Sequence, residues 1–223
     1  MSLAGSQFTI VFAQGTLNIK TPLIGRHNIY NILAAFAVAR AEQLPLEIIK
    51  KGIEQLKIVP GRLESISAGQ DFYVFVDYAH TEDALKNILA SIRQVSPNRI
   101  LLVFGCGGDR DKTKRPQMGR LASELADEVI ITNDNPRSEE PETIAGEIIA
   151  GFQRKNYQKI LDRAEAIKTV LTNAKSGDVV LVAGKGHEDY QRFKDRKISF
   201  KEHDVIRKCL GQILKRSRGP VRV

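Results

Sequence analysis

The chain has 223 residues, 42% hydrophobic and 27% charged, as in an ordinary globular protein of one large domain or one domain and part of another. No apolar run approaches the roughly 20 residues that span a bilayer, and no signal peptide is visible, so a cytoplasmic protein without membrane contact is expected. Cys106 and Cys209 are too few for a disulfide framework and sit in no metal-ligand spacing, while part of the +8 net charge lies in a tail (Lys215, Arg216, Arg218, Arg222) that reads as a solvated end rather than a nucleic-acid arm.

Taken in order, "FTIVFAQGTLNIKTPL" reads as one or two strands. "NIYNILAAFAVARAEQL" predicts a strongly amphipathic helix capped near Asn28, and "PLEIIKKGIEQL" a second helix. The Pro-Gly pair of "KIVPGRLESI" marks a boundary near residues 58–63, dividing a small first segment, 1–60, from a larger unit, 61–223. A regular alternation then begins. "FYVFVDYA", "RILLVFG", "EVIITN", "YQKILD" and "DVVLVAG" read as strands. Between them "TEDALKNILASIRQV", "PQMGRLASELA", "PETIAGEIIAGFQR" and "RAEAIKTVLTNA" carry helical apolar spacing. A hairpin, "YQRFKDRKISF", and a helix, "EHDVIRKCLGQILKR", follow. Continuous apolar strands alternating with helices imply an α/β fold, a Rossmann-like, doubly wound, mostly parallel sheet covered on both faces.

Ligands of such sheets bind at the carboxyl ends of the strands. Four of these ends are polar or glycine-rich: "VDYAHTED", "VFGCGGDRDKTKRP", "ITNDNPRSEEP" and "VAGKGHEDYQ". Turn formation explains each loop taken singly. It does not explain why Arg110, Arg137 and Glu188 should converge on one edge. Arg137 can grip a carboxylate with two parallel N–H bonds, and Arg110 can hold a second carboxylate. Asn135 offers a donor and an acceptor, and Asp134 and Glu188 can take an ammonium. That set suits a small zwitterion with a spare carboxylate. A surface ion pair of Arg137 with Glu139 or Glu140 is the plainer alternative.

Six runs in order, "GRHNIYNILAA", "VPGRLE", "VDYAHTEDAL", "FGCGGDRDKTKRPQMG", "DNPRSEEP" and "GKGHEDYQ", make the chain resemble the Mur ligases, and among them the diaminopimelate-adding branch, from about residue 8 to about residue 214. The resemblance implies a three-domain enzyme. ATP with Mg2+ phosphorylates a D-glutamyl carboxylate, and the diaminopimelate amine attacks the acyl phosphate. No G-x-x-x-x-G-K-[ST] loop is present. The chain is therefore expected to be the tail end of a P-loop-type central domain followed by the C-terminal domain, inactive alone but carrying the amino-acid site.

By resemblance, meso-diaminopimelate is held by Arg110, Asp134, Asn135, Pro136, Arg137, Gly184 and Glu188, with Pro136 and Gly184 shaping backbone. ATP contacts fall on His27, Asn31, Arg62 and Asp77. Mg2+, most of the ATP site and the UDP-MurNAc-dipeptide site belong to the rest of the enzyme. Asn28 as a mere helix cap beside a buried His27 is the alternative for that pair. His80 reads as loop packing, His203 as solvent-facing, and Lys112 and Lys114 as parts of a solvated loop; no metal ligands and no catalytic residue are assigned. The competing readings are lysine-adding, D-Ala-D-Ala-adding or folylpolyglutamate ligases, a non-catalytic binding module, and a basic nucleic-acid binder. The "DNPR" run speaks against the other ligases.

Overall fold

The computed structural model describes residues 2–217, so Arg218 and Arg222 of the basic tail lie outside the described residues. β1 (Ser6–Phe12) and β2 (Gly15–Thr21) pair as an antiparallel hairpin. α1 (Arg26–Ala41) and α2 (Leu46–Gln55) pack on it around Ile10, Ile19, Ile32, Phe36 and Ile49. Asn28 is not the cap of α1. Gly25 holds that place at φ 90, a conformation open to glycine, so the chain turns into the helix before Asn28 is reached. The Asn28 amide instead donates to the Ile24 carbonyl at 2.8 Å. Nor is α1 strongly amphipathic, since Tyr30 and Val38 stay exposed while Ile32 and Phe36 are buried. Seven of the nine exposed large hydrophobics among the described residues lie between Val11 and Ile58.

β3 (Glu64–Ser65), β4 (Tyr73–Asp77), β5 (Ile100–Phe104), β6 (Glu128–Ile131), β7 (Tyr157–Lys159) and β8 (Val179–Ala183) form one sheet in the order β3-β4-β8-β5-β6-β7. All its pairings are parallel except β3 with β4. Successive side chains enter opposite cores. Phe75, Leu102, Phe104 and Leu181 pack with α3 (Glu82–Val95), α4 (Lys114–Leu125) and α5 (Pro141–Ile149). Val76, Leu101, Val103 and Val182 pack with α6 (Arg163–Asn173) and α7 (Glu202–Ser217). Both faces are apolar because both are covered, which is why these strands read as unbroken runs. α5 ends earlier than its apolar spacing suggests. A Cβ on Gly151 would lie 1.8 Å from the Pro116 carbonyl oxygen, so backbone meets backbone there and the chain turns away. β9 (Tyr190–Phe193) and β10 (Arg196–Ser199) make the expected hairpin. Among the described residues no helix is long and apolar enough to cross a membrane.

Candidate functional site

Because β8 lies between β4 and β5, and β5 adjoins β6, the four polar loops leave the sheet as neighbours on one edge. The β5–α4 and β6–α5 loops touch backbone to backbone. The Gly108 N–H donates to the Asn135 carbonyl at 2.9 Å, and a Cβ on Gly108 would fall 1.8 Å from the Pro136 carbonyl oxygen. Arg115, fully buried, staples the two loops together. It gives Glu139 two N–H bonds of 2.9 Å and also reaches Glu147 at 2.5 Å and the Gly107 carbonyl at 3.1 Å. The Arg115 guanidinium, helped by the Asp109 N–H and Lys112, holds the Glu139 carboxyl at about 2. Glu139 is thus taken by Arg115, and Glu140 pairs with Lys194 at 3.3 Å. The plainer alternative for Arg137 is not realised: among the described residues it forms no ion pair, and its Nη1 donates to the Gly108 carbonyl at 2.7 Å.

Arg137 sits at φ 54, a left-handed conformation rare for a residue with a side chain. The β9–β10 hairpin holds it there: the Arg137 N–H donates to the Arg192 carbonyl at 2.9 Å, and its own carbonyl accepts the Lys194 N–H. Gln191, buried, donates to the Asp134 carbonyl at 3.1 Å. Asn135 is largely committed. Its Nδ2 donates to Glu188 Oε2 at 2.9 Å, and its Oδ1 accepts from Lys185 Nζ at 3.2 Å and from the Arg192 N–H at 2.9 Å. Only its second N–H is left for a ligand. Asp134 Oδ2 is buried without a hydrogen-bond partner among the described residues, 3.1 Å from where a Cβ on Gly184 (φ 115) would stand. Burial pushes the Glu188 carboxyl up, but the Lys185 and Asn135 bonds and the Arg137 charge outweigh it and leave it below the ordinary range. Arg110 and Arg137 both lie beside Gly107. Arg110 is exposed, donates only to the Asp109 carbonyl at 3.0 Å, and forms no hydrogen bond with the other residues of the group.

His27, Arg62 and Asp77 form a second group. Asp77 is buried and accepts the Leu63 and Ala79 N–H groups at 2.7 Å each. Burial raises its carboxyl above the usual range, against the pull of those bonds and of His27 and Arg62. Burial likewise lowers the His27 imidazole; Asp77 opposes this and Arg62 adds to it. The Arg62 guanidinium carbon stands 5.4 Å from the centre of the Tyr78 ring, which His80 and His187 also flank at 4.6 and 5.3 Å. Asn31 is exposed on α1 and hydrogen-bonds none of these residues.

One expectation is corrected. His203 does not face solvent: its Nε2 is 3.0 Å from Glu64 Oε2, because α7 starts against β3. Lys112 is exposed and pairs with Glu139 at 3.2 Å, and Lys114, the first residue of α4, donates to the His80 carbonyl at 2.7 Å. The sequence reading missed Lys185, Gln191, Arg115 and Arg163. Arg163, fully buried, donates to Glu202 at 2.6 Å and to the Ala183 and Asn133 carbonyls at 2.8 and 3.1 Å, bracing two of the strand ends from beneath. A cavity of about 170 Å³ between β6, β7 and α6 lies at the amino ends of those strands, and none of the residues of either group lines it.

The pattern of a family described as "Mur ligase, glutamate ligase domain" matches residues 61–186, and that of "Mur ligase middle domain" matches residues 1–39. A UDP-N-acetylmuramoyl-L-alanyl-D-glutamate--2,6-diaminopimelate ligase of Solibacter usitatus is 46% identical over 211 residues, 94% of this chain and 43% of the relative. The ligase of the same name from Bacillus licheniformis is 46% identical over 213 residues, 96% of this chain and 44% of its own length. A solved structure bearing that name superposes with a TM-score of 0.72 at 38% identity, covering 96% of this chain and 44% of the other. A folylpolyglutamate synthase from Thermotoga maritima shares the fold, with a TM-score of 0.64 at 22% identity over 82% of this chain and 41% of the other. The chain spans less than half the length of the curated relatives it matches.

Proposed function

The chain belongs to the Mur ligase family, and from that premise we propose that it is the C-terminal portion of an ATP-dependent ligase adding meso-2,6-diaminopimelate to UDP-N-acetylmuramoyl-L-alanyl-D-glutamate in peptidoglycan synthesis. In this reading residues 1–60 end the central ATP-binding domain and residues 61–223 form the amino-acid-binding domain. Work on a UDP-linked substrate goes with a cytoplasmic location.

One observation supports the reading most. Unpaired acceptors and unpaired donors stand at the same sheet edge: Asp134 Oδ2 without a partner, and Arg137 with only Nη1 engaged. A zwitterionic amino-acid end satisfies both. Its carboxylate takes the free Arg137 N–H groups, with Arg110 at the rim. Its ammonium takes Asp134 Oδ2 and Glu188. A ligand lacking the carboxylate strands the guanidinium, and that mismatch is the basis of selection. Holding diaminopimelate by one end leaves the amine of the other free to attack an activated glutamyl carboxylate.

ATP, when bound to the whole enzyme, supplies the phosphoryl group that activates that carboxylate. The donors of Arg62, with His27 and Asp77 beside it, suit the nucleotide, but this chain offers no glycine-rich cradle for a triphosphate. Among the described residues no three His, Cys, Asp or Glu side chains gather as metal ligands. In this reading phosphoryl transfer and Mg2+ belong to the rest of the enzyme, and this chain alone forms no amide.

Calorimetric titration tests the site. Meso-diaminopimelate should bind, and L-lysine, which lacks the second carboxylate, should bind at least about tenfold more weakly. Arg137→Ala should erase the difference. Equal affinity of the wild-type chain for the two amino acids refutes the proposal, as does absence of diaminopimelate binding.

A further inference from the structure

We propose that Lys185 is a positioning residue for this site: it locks Glu188 and Asn135 in the one arrangement that presents Glu188 Oε1 and a single Asn135 N–H to the ligand. The inference rests on the reading of the strand-end group as the amino-acid site.

Lys185 follows β8, and its side chain is fully buried. Its neighbours Gly184 and Gly186 both have positive φ, at 115 and 54. Nζ lies 3.0 Å from Glu188 Oε2, 3.2 Å from Asn135 Oδ1 and 5.4 Å from the centre of the Tyr190 ring. Both polar partners belong to the candidate site, and they come from two different loops, after β6 and after β8. Stability alone does not call for a charge here. Apolar residues of similar volume often serve as well as a buried ion pair, or better. What a buried ammonium supplies is direction. It only donates, so together with the Arg192 N–H it turns Asn135 Oδ1 inward, and Nδ2 is thereby aimed at Glu188. Two donors then share Glu188 Oε2, and among the described residues Oε1 has no hydrogen-bond partner. Lys185 also offsets one of the two carboxylates, Asp134 and Glu188, that would otherwise face a single ligand ammonium. Having no exposed surface, it acts on the ligand only through these partners.

The test is a double-mutant cycle in the 223-residue chain, with Lys185→Met, Glu188→Gln and the double variant, read by calorimetric binding of meso-diaminopimelate. Lys185→Met should weaken binding about ten- to hundredfold near pH 7. In the Glu188→Gln background the same change should add less than about threefold, because the effect runs through Glu188. The pH profile gives a second readout. In the wild type Lys185 helps hold the Glu188 carboxyl below the ordinary range, so affinity should stay flat from about pH 8 to about pH 5. Without Lys185, burial is left to push that carboxyl up, and affinity should fall as pH drops through the same window. A role confined to folding would leave the profile flat. Thermal unfolding checks that Lys185→Met is folded, and Lys185→Gln, which keeps a donor without the charge, should show the same acid limb.

Binding within about threefold of wild type for Lys185→Met overturns the proposal, as does an equal loss in the Glu188→Gln background or a flat profile in both Lys185 variants. If the wild-type chain prefers diaminopimelate to lysine and Arg137→Ala erases that preference, a silent Lys185 variant refutes this inference alone. If the wild type does not bind, the site reading fails and takes the inference with it.

Discussion

Replacing Glu139 by Gln should cost the folded chain about 2–3 kcal/mol at neutral pH. The carboxylate takes two 2.9 Å bonds from Arg115, a 2.6 Å bond from the Asp109 N–H, and Lys112 at 3.2 Å. A carboxamide keeps one oxygen but turns its NH2 toward the Arg115 guanidinium, donor against donor. Breaking a buried ion pair by removing one partner costs about 3–5 kcal/mol. The lower figure applies here because Arg115 keeps Glu147 and the Gly107 carbonyl, and because the Glu139 side chain is 14% exposed. Proton linkage gives a consistent bound. The carboxyl is held at about 2 against 4.5 ordinarily, and at about 1.4 kcal/mol per unit the upper limit is about 3.5 kcal/mol. The sign is that of a depressed carboxyl: the stabilisation is present above the unfolded value of 4.5 and fades as pH falls toward 2. Urea unfolding of both proteins across that range should show the curves converging in acid. A difference under about 0.5 kcal/mol at neutral pH, or one that persists unchanged at the acid end, would refute the account of Arg115 as the loop staple.

Gly184→Ala forces a side chain into φ 115 with its methyl 3.1 Å from Asp134 Oδ2; about 1–2 kcal/mol of stability should go, together with diaminopimelate binding, and an unaltered urea midpoint would contradict this. Glu202→Ala leaves the fully buried Arg163 without its acid and should cost about 3–5 kcal/mol, while Glu202→Gln, still an acceptor, should cost less than half of that. Equal losses of that size would mean that Arg163 needs the negative charge and not merely an acceptor, and small losses for both that the Ala183 and Asn133 carbonyls satisfy it alone. Gln191→Ala removes the donor to the Asp134 carbonyl and should speed amide exchange at Arg137, whose N–H bonds the same hairpin. Unchanged protection there would separate the hairpin from the loop.

What the sequence disclosed follows from which forces act locally. The buried strands were legible because covering both faces requires unbroken apolar runs, and Phe75, Leu102 and Leu181 supply them. The start of α1 was misread because glycine at positive φ caps a helix without any side-chain signature, whereas Asn28 looks like a cap and is not. The end of α5 was misread because Gly151 answers to Pro116, some 35 positions away. Lys185 was missed for a related reason. A lysine between two glycines reads as a surface turn, and nothing local indicates that its partner Asn135 sits at the end of another strand. One cue was available, since Glu188 follows three residues later. Arg163 and Glu202 gave none, being ordinary charged residues at the starts of two helices.

Strand order, which periodicity does not give, is what relates the two groups of polar residues. β8 is the last strand of the sheet in sequence, yet it inserts between β4 and β5. Its loop therefore borders both groups. On one side Lys185 and Glu188 bond Asn135 from the loop after β6. On the other, His187 stacks 5.3 Å from Tyr78, and a Cβ on Gly186 would stand 2.8 Å from the Tyr78 Cβ. A Cβ on Gly61, beside Arg62, would stand 2.7 Å from the His187 nitrogen. Of four consecutive residues, 185 to 188, the outer two thus bond Asn135 and the inner two pack on Tyr78, the neighbour of Asp77. Gly61 and Gly186 bring the backbones together there, so a displaced β8 loop would lose packing on the Tyr78 side and hydrogen bonds on the Asn135 side.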